Sequence, residues 1–173
     1  SLLSRAVNLL IPFYSTPWRV SLISSVATIL TSYLLFKLLM HLKIPRIIAL
    51  FSATLYIFLL PIWQYAEIPE VFALHNLLVI SITLLIYRFS RKDHIFYLYF
   101  ITFLMGLSVS HHHIFILYIP GWFYLLREKW QSFLRRQFTK KILIFILLSF
   151  ALGTSFYLYS IIASSFAPPL DWE

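Results

Sequence analysis

The chain has 173 residues, of which 61% are hydrophobic and only 12% are charged, and its mean hydropathy is +0.85. A soluble domain is about half apolar and about one quarter charged, so this composition indicates a protein that crosses the bilayer several times. The chain contains no cysteine and three glycines, which excludes a disulfide framework, thiolate metal sites and glycine-rich nucleotide loops.

Six apolar segments follow one another along the chain. They are Val20–Leu42, Ile47–Tyr65, Val71–Phe89, Ile95–Ser110, Ile114–Leu126 and Ile142–Ile162. The first, second, third and sixth are long enough to cross about 30 Å of hydrocarbon as helices. The fourth and fifth are shorter and are predicted to meet at a turn below the membrane surface. The sequence therefore predicts an all-α integral membrane protein with about six transmembrane helices in one domain over residues 1–173.

The basic residues lie in alternate connections between these segments. Twelve of the fourteen fall on one side of the membrane, namely Lys37, Lys43, Arg46, Arg88, Arg91, Lys92, Arg127, Lys129, Arg135, Arg136, Lys140 and Lys141. The positive-inside rule assigns this side to the cytoplasm, which predicts both ends of the chain outside. Because topology explains the net charge of +8, no nucleic-acid partner is expected.

Two further segments have apolar residues at helical spacing. Leu2–Phe13 is predicted to lie on the outer surface as an amphipathic helix. Residues 126–138 combine an apolar stripe with arginines, which favours a helix that rests on anionic inner-leaflet lipid. A solvated basic loop is the alternative for the second segment.

Glu70 is the first candidate site residue. It follows Pro69, which can begin the third helix, so an acid here offsets the helix dipole. Alternatively, Glu70 is a carboxylate at the outer rim of a membrane cavity, available to a sugar hydroxyl or a metal, and Glu67 has the same two interpretations. His75 and Asn76 lie deeper in the third helix, where hydrogen bonds to a neighbouring helix are favoured.

Three consecutive histidines, His111, His112 and His113, separate the fourth and fifth segments. Ionisable groups at membrane depth are costly and often mark functional sites. Consecutive helical residues are about 100° apart, so the three cannot share one helix face, and the run alone does not indicate a metal site. Donors to phosphate or sugar hydroxyls and polar packing between helices are both open. His113 is expected to open the fifth helix, whose N-terminal amides favour anions.

Asp171 and Trp172 follow the last segment, after Pro168 and Pro169, which end the helix. Trp172 suits an interfacial anchor. An acid beside an aromatic side chain is also common in carbohydrate sites, although one such pair is not specific.

Three short motifs occur in order: W-x6-E-V-F-A-L-H from Trp63, S-H-H-H-I-F-I-L-Y-I-P-G from Ser110, and S-F-Y-L-Y followed by P-P-L-D-W. In this order the chain resembles the membrane core of the protein O-mannosyltransferase-related family, which belongs to the GT-C glycosyltransferases and includes many bacterial members. The resemblance covers nearly the whole chain. The chain departs from it at Ile114 and Glu173, where the family usually has a small polar residue and glycine.

The resemblance implies a GT-C-like membrane core that transfers a sugar, mannose, from a polyprenyl-phosphate donor to a protein or glycan acceptor. The reaction would take place at the outer face of a bacterial cytoplasmic (inner) membrane, in contact with membrane lipid. On this likeness, the substrate-binding residues are Glu70, His111, His112, His113, Asp171 and Trp172. No cofactor or metal ligand is assigned, and a divalent metal is not indicated.

On this likeness the chain is expected to be an internal piece of a longer GT-C-like protein. The family's catalytic acid commonly lies in the first outer loop, so it is expected upstream of residue 1, and no catalytic residue is named. A transporter or lipid-handling protein without chemistry is the alternative function, because polar groups at broken helices suit it too. It predicts internal repeats, which the sequence does not show. A purely structural membrane subunit is a third hypothesis.

Overall fold

The computed structural model describes residues 16–67, 71–92, 94–136 and 139–166. Within these ranges the chain is 93% helical and contains no strand. The all-α prediction is therefore confirmed.

Seven α-helices and one 3-10 helix make up the described chain. In order they are α1 (Thr16–His41), α2 (Arg46–Phe58), α3 (Leu60–Glu67), α4 (Val71–Arg91), α5 (Ile95–His111), the 3-10 helix (His113–Tyr118), α6 (Ile119–Arg136) and α7 (Lys140–Phe166). Helices α1, α4, α5 and α7 match predicted segments to within four residues.

Three helices contain stretches long and apolar enough to cross a membrane, which fits an integral membrane protein. These stretches are Ser21–His41 in α1, Phe72–Arg91 in α4 and Lys140–Tyr157 in α7. Shorter apolar helices occur at Arg46–Phe58, Ile95–His111 and Ile114–Arg127. The chain also exposes large apolar side chains along α2 and α7, for example Ile47 at 83% and Leu152 at 61%. Such surfaces suit contact with lipid.

The second apolar segment is not the single helix that the sequence predicts. It is divided at Leu59, whose φ of −63° and ψ of 126° are extended. Pro61 explains the break, because proline has no N–H for a helical hydrogen bond and its ring clashes with the carbonyl four residues earlier. The chain restarts as α3 with Pro61 in the first turn, where a missing N–H is tolerated.

The end of α1 is a left-handed turn at Lys43, which has φ of 62°. The N–H of Lys43 donates to the Met40 carbonyl and that of Ile44 to the Leu39 carbonyl, both at 3.1 Å. These bonds satisfy the last carbonyls of the helix, as in a Schellman motif, although glycine usually occupies the left-handed position. Pro45 then precedes α2.

The chain forms two compact units, Ser1–Leu84 and Leu85–Glu173. In the first unit, α1 packs against α2 and α3. The Ser32 hydroxyl donates to the Ala53 carbonyl at 2.7 Å, and the Ser25 hydroxyl donates to the Ala66 carbonyl at 2.8 Å. Since the residue numbers run in opposite directions, α1 is antiparallel to the α2–α3 arm.

Among the side chains of α1 that the structure describes, those that are buried are all small. They are Ser24, Ala27, Thr28, Thr31 and Ser32. Ala49 and Ala53 are the buried residues of α2, with 0% and 4% of their surface exposed. Small side chains let helix backbones approach closely, and hydroxyls can bond across the contact, as is usual between membrane helices.

In the second unit, α5 packs along α7. The Tyr99 and Phe145 rings lie 5.8 Å apart, and further along both helices the Ser110 hydroxyl lies 3.4 Å from the Thr154 carbonyl. Because the residue numbers rise together, the two helices are parallel. The 3-10 helix and α6 must therefore carry the chain back along the length of α5, about 25 Å.

Two glycines allow the close contact of α5 with α7. A Cβ atom on Gly106 would collide with the Phe150 carbonyl oxygen and lie 3.1 Å from the Gly153 Cα. A Cβ atom on Gly153 would lie 2.7 Å from the Leu107 nitrogen. The backbones themselves touch here, so no larger residue fits without moving one helix.

Candidate functional site

The fourth and fifth apolar segments meet at the histidines, as the sequence predicts. Helix α5 ends at His111, and His112 is extended with φ of −155° and ψ of 126°. The His112 N–H donates to the Ser108 carbonyl at 2.9 Å and so completes the end of α5. The three histidines therefore do not lie on one continuous helix.

The His112 ring holds the start of the 3-10 helix. Its Nδ1 accepts a hydrogen bond from the Ile114 N–H at 3.3 Å. A nitrogen that accepts a hydrogen bond carries no proton, so neutral His112 holds its proton on Nε2. The half-buried imidazole is thus arranged to donate one hydrogen bond from Nε2 to a ligand or a neighbouring group.

His111 is half-buried at the last position of α5, and the His113 backbone opens the 3-10 helix. The side chain of His113 lies outside the described part of the structure. His113 therefore begins a helix, as the sequence predicts, but its first six residues are a 3-10 helix and the α-helix starts at Ile119. Pro120 lies in the first turn of α6, the place where a helix tolerates a residue without an N–H.

Aromatic packing fixes the chain after the histidines. Phe115 is 1% exposed, and its ring centroid lies 5.0 Å from that of Trp122 in α6. Tyr118 stacks on the same tryptophan at 5.8 Å. The 3-10 helix is therefore anchored on α6, although Leu117 remains 77% exposed.

The other side of the turn is fixed to α7. The Ser110 hydroxyl donates to the Gly106 carbonyl at 3.0 Å and lies 3.4 Å from the Thr154 carbonyl. The contact between Gly106 and Gly153 lies one helical turn earlier. Sequence reasoning missed these two glycines, although they are two of only three in the chain. Together they set the position of the histidine turn along α7.

Glu70, Asp171, Trp172 and the Leu2–Phe13 segment lie outside the described residues, and so does the side chain of Glu67. Among the residues that are described, no three His, Cys, Asp or Glu side chains lie close enough to hold a metal ion. That the predicted substrate-binding residues come together stays a prediction.

His75 and Asn76 occupy interior positions on α4. His75 is 3% exposed and Asn76 is half-buried. The depth of both side chains in the membrane stays a prediction.

Comparison with known families matches residues 1–134 to the family described as the Protein O-mannosyl-transferase TMEM260 N-terminal domain. The matched range includes the histidine turn and most of α6. The chain has no significant match among curated proteins or among solved structures. The family match extends over well more than half of the 173 residues. The chain therefore belongs to the family of the protein O-mannosyl-transferase TMEM260 N-terminal domain.

Proposed function

We propose that this chain is the GT-C-type membrane core of a glycosyltransferase that moves mannose from a polyprenyl-phosphate carrier to a protein or glycan hydroxyl. The family match supports sugar transfer. The observation that carries the proposal within the structure is the contact of the histidine turn with Thr154 on α7, from which we infer the depth of the turn in the membrane.

The depth follows from the contact of Ser110 with Thr154. Helix α7 begins at Lys140, a basic residue suited to the edge of the hydrocarbon, and Thr154 lies about 21 Å along it. A crossing of about 30 Å then leaves the turn about 9 Å below the opposite surface. Polar groups at that depth are costly unless they serve a ligand or a partner.

Six crossings follow if α6 returns through the bilayer between the parallel helices α5 and α7. In each of three apolar helices, a basic side chain contacts a tyrosine ring one helical turn earlier. The contacts are Lys37 on Tyr33 at 5.4 Å, Arg91 on Tyr87 at 5.5 Å and Arg127 on Tyr124 at 4.4 Å. Each lies near the end of an apolar stretch that runs toward the basic side. Tyrosine and basic residues favour this position, and the positive-inside rule makes it cytoplasmic.

With this orientation the histidine turn faces the outer half of the bacterial cytoplasmic membrane. The acceptor hydroxyl attacks the anomeric carbon, and its proton passes to a general base. The bond from that carbon to the phosphate oxygen breaks, and its electron pair stays on the polyprenyl phosphate. His111 and the Nε2–H of His112 donate to the phosphate as its charge develops. Following the family resemblance, we assign Glu70, His113, Asp171 and Trp172 to binding of the sugar.

Replacement of His112 by asparagine tests the phosphate role in the full-length protein. Asparagine can accept the Ile114 N–H as a cap, as histidine does, so the 3-10 helix keeps its start. It loses the Nε2–H donor. The affinity for the polyprenyl-phosphate sugar should fall about tenfold, as expected for loss of a hydrogen bond to a charged group. The melting temperature should stay within a few degrees of that of the parent protein.

His41→Asn is the matched control, because His41 is exposed at the end of the membrane-spanning part of α1 and belongs to the first compact unit. It should leave donor affinity unchanged. A His112→Asn variant with unchanged affinity and lowered stability would instead assign this histidine to packing. Movement of a substrate across proteoliposomes without sugar transfer would favour the transporter hypothesis.

A further inference from the structure

A shallow cavity of about 510 Å³, open to the surface, lies at the start of α5, at the end remote from the histidine turn. It is lined by Lys92, His94, Phe96 and Tyr97, all within the second compact unit. Its volume lies within the range of small-molecule sites, which is about 300 to 1,000 Å³. Sugar transfer at the histidine turn does not use it.

The polar wall of the cavity presents hydrogen-bond donors. Lys92 is an exposed ammonium. The His94 Nδ1 accepts the Phe96 N–H at 3.4 Å, so the neutral ring carries its proton on Nε2. An ammonium and an imidazole N–H are both donors to an anion such as phosphate.

The local charge adds to this preference. Arg88, Arg91 and Lys92 bring three positive charges within five residues, against one acid in the segment, Asp93. Asp93 itself lies outside the described residues. The excess favours a ligand with net negative charge over a zwitterion.

A row of phenylalanines continues from the cavity along α5. Phe96 stacks on Phe100 and Phe100 stacks on Phe103, each with ring centroids 6.3 Å apart. Phe96 is 61% exposed and Phe100 is 42% exposed. The row extends about 10 Å from the start of the helix, as expected for seven residues. It offers an apolar surface to an acyl chain directly below the donors.

We propose that this cavity and the phenylalanine row bind one anionic phospholipid, with its phosphate at Lys92 and His94 and an acyl chain along Phe96 and Phe100. The geometry places charge at headgroup level and aromatic rings in the hydrocarbon, in the order in which a phospholipid presents its own groups. The site is independent of the proposed sugar transfer.

Native mass spectrometry of the purified full-length protein tests the site. Dioleoyl phosphatidylglycerol and dioleoyl phosphatidylcholine are titrated separately, and bound lipid is counted. The parent protein should retain one phosphatidylglycerol at concentrations where phosphatidylcholine is lost. Lys92→Gln should weaken this binding about fivefold, the effect of one basic residue near an anionic lipid.

Lys43→Gln is the matched control, since Lys43 is also exposed and basic but belongs to the first compact unit and does not line the cavity. It should leave the affinity for phosphatidylglycerol unchanged. Phe100→Ala should weaken dioleoyl phosphatidylglycerol about fivefold through lost apolar contact, and should leave dihexanoyl phosphatidylglycerol unaffected. Melting temperatures verify that each variant is folded.

Three results would overturn the proposal. Equal retention of phosphatidylcholine would remove the requirement for an anion. An equal loss in Lys92→Gln and Lys43→Gln would show general attraction to a basic surface. Complete displacement of phosphatidylglycerol by inorganic phosphate would show a site for the free ion instead of a lipid.

Discussion

The two compact units bring helices together in different ways. In the first, hydroxyls on α1 donate to carbonyls of the opposite arm, as Ser32 does to Ala53 at 2.7 Å. In the second, α5 and α7 meet through Gly106 and Gly153, where the backbones touch. The contact in the first unit includes separate hydrogen bonds, and one of them can be removed without the others. The contact in the second unit requires the absence of a side chain at both glycines.

This difference predicts unequal tolerance to mutation. A hydrogen bond between membrane helices contributes about 0.6 kcal/mol on average, because the separated helices find other partners. A methyl group forced into a packed contact typically costs about 1–3 kcal/mol. The glycine contact also sets the position of the histidine turn, so damage there should extend to ligand binding.

Among the single substitutions, Gly153→Ala should lower the free energy of unfolding the most. Its new Cβ would meet backbone atoms, including the Leu107 nitrogen at 2.7 Å, and backbone cannot move aside as a side chain can. The free energy of unfolding should fall by about 1–3 kcal/mol, measured by reversible unfolding in mixed detergent micelles. Donor affinity of the full-length protein should fall with it, since α7 holds Ser110 beside the histidines.

Gly121→Ala is the control for that experiment, because a Cβ at this exposed position has no neighbour within 4 Å. Its stability should be unchanged or higher by at most about 1 kcal/mol, since alanine favours helix over glycine. Equal destabilisation by the two substitutions would show that the close contact of α5 with α7 contributes nothing.

The double variant Gly106→Ala with Gly153→Ala should be less destabilised than the two single losses together. A Cβ on Gly106 would lie 3.1 Å from the Gly153 Cα, so the first methyl group already separates the helices and the second costs less. We expect a coupling of at least about 0.5 kcal/mol. The pair Gly121→Ala with Gly153→Ala shares no contact and should be additive within about 0.5 kcal/mol. If the losses of unfolding free energy add in both double variants, Gly106 and Gly153 do not share a contact.

Much of the helical order could be predicted from the sequence, because long apolar runs leave few alternatives in a bilayer. Helix α5 ends one residue from its predicted end, and the break at the histidines is confirmed. The break at Leu59 was missed because the segment was assigned from hydropathy alone. Pro61, which lies inside the segment, is the sequence feature that could have predicted the break.

The helix contacts could not be predicted in the same way. The meeting of Gly106 with Gly153 requires the relative register of two helices, 47 positions apart in the sequence, and a single sequence does not specify it. The capping role of His112 depends on an extended backbone that composition does not encode. The histidine turn was found because its polar groups contrast with the apolar chain, whereas the glycines carry no such contrast.

Among these substitutions, the controls excepted, Ser32→Ala should lower the free energy of unfolding the least. The substitution removes the hydroxyl that donates to the Ala53 carbonyl and leaves a residue small enough for the same close approach. The unfolding free energy should fall by about 0.6 kcal/mol. Thr31→Val is the matched control, because the Thr31 hydroxyl bonds the Ala27 carbonyl within its own helix at 2.7 Å. Valine has nearly the same shape as threonine, and the contact between the helices loses no hydrogen bond. The free energy of unfolding should therefore change less than in Ser32→Ala. If Ser32→Ala costs as much as Gly153→Ala, hydroxyl bonds hold the first unit as firmly as backbone contact holds the second, and the distinction between the two units fails.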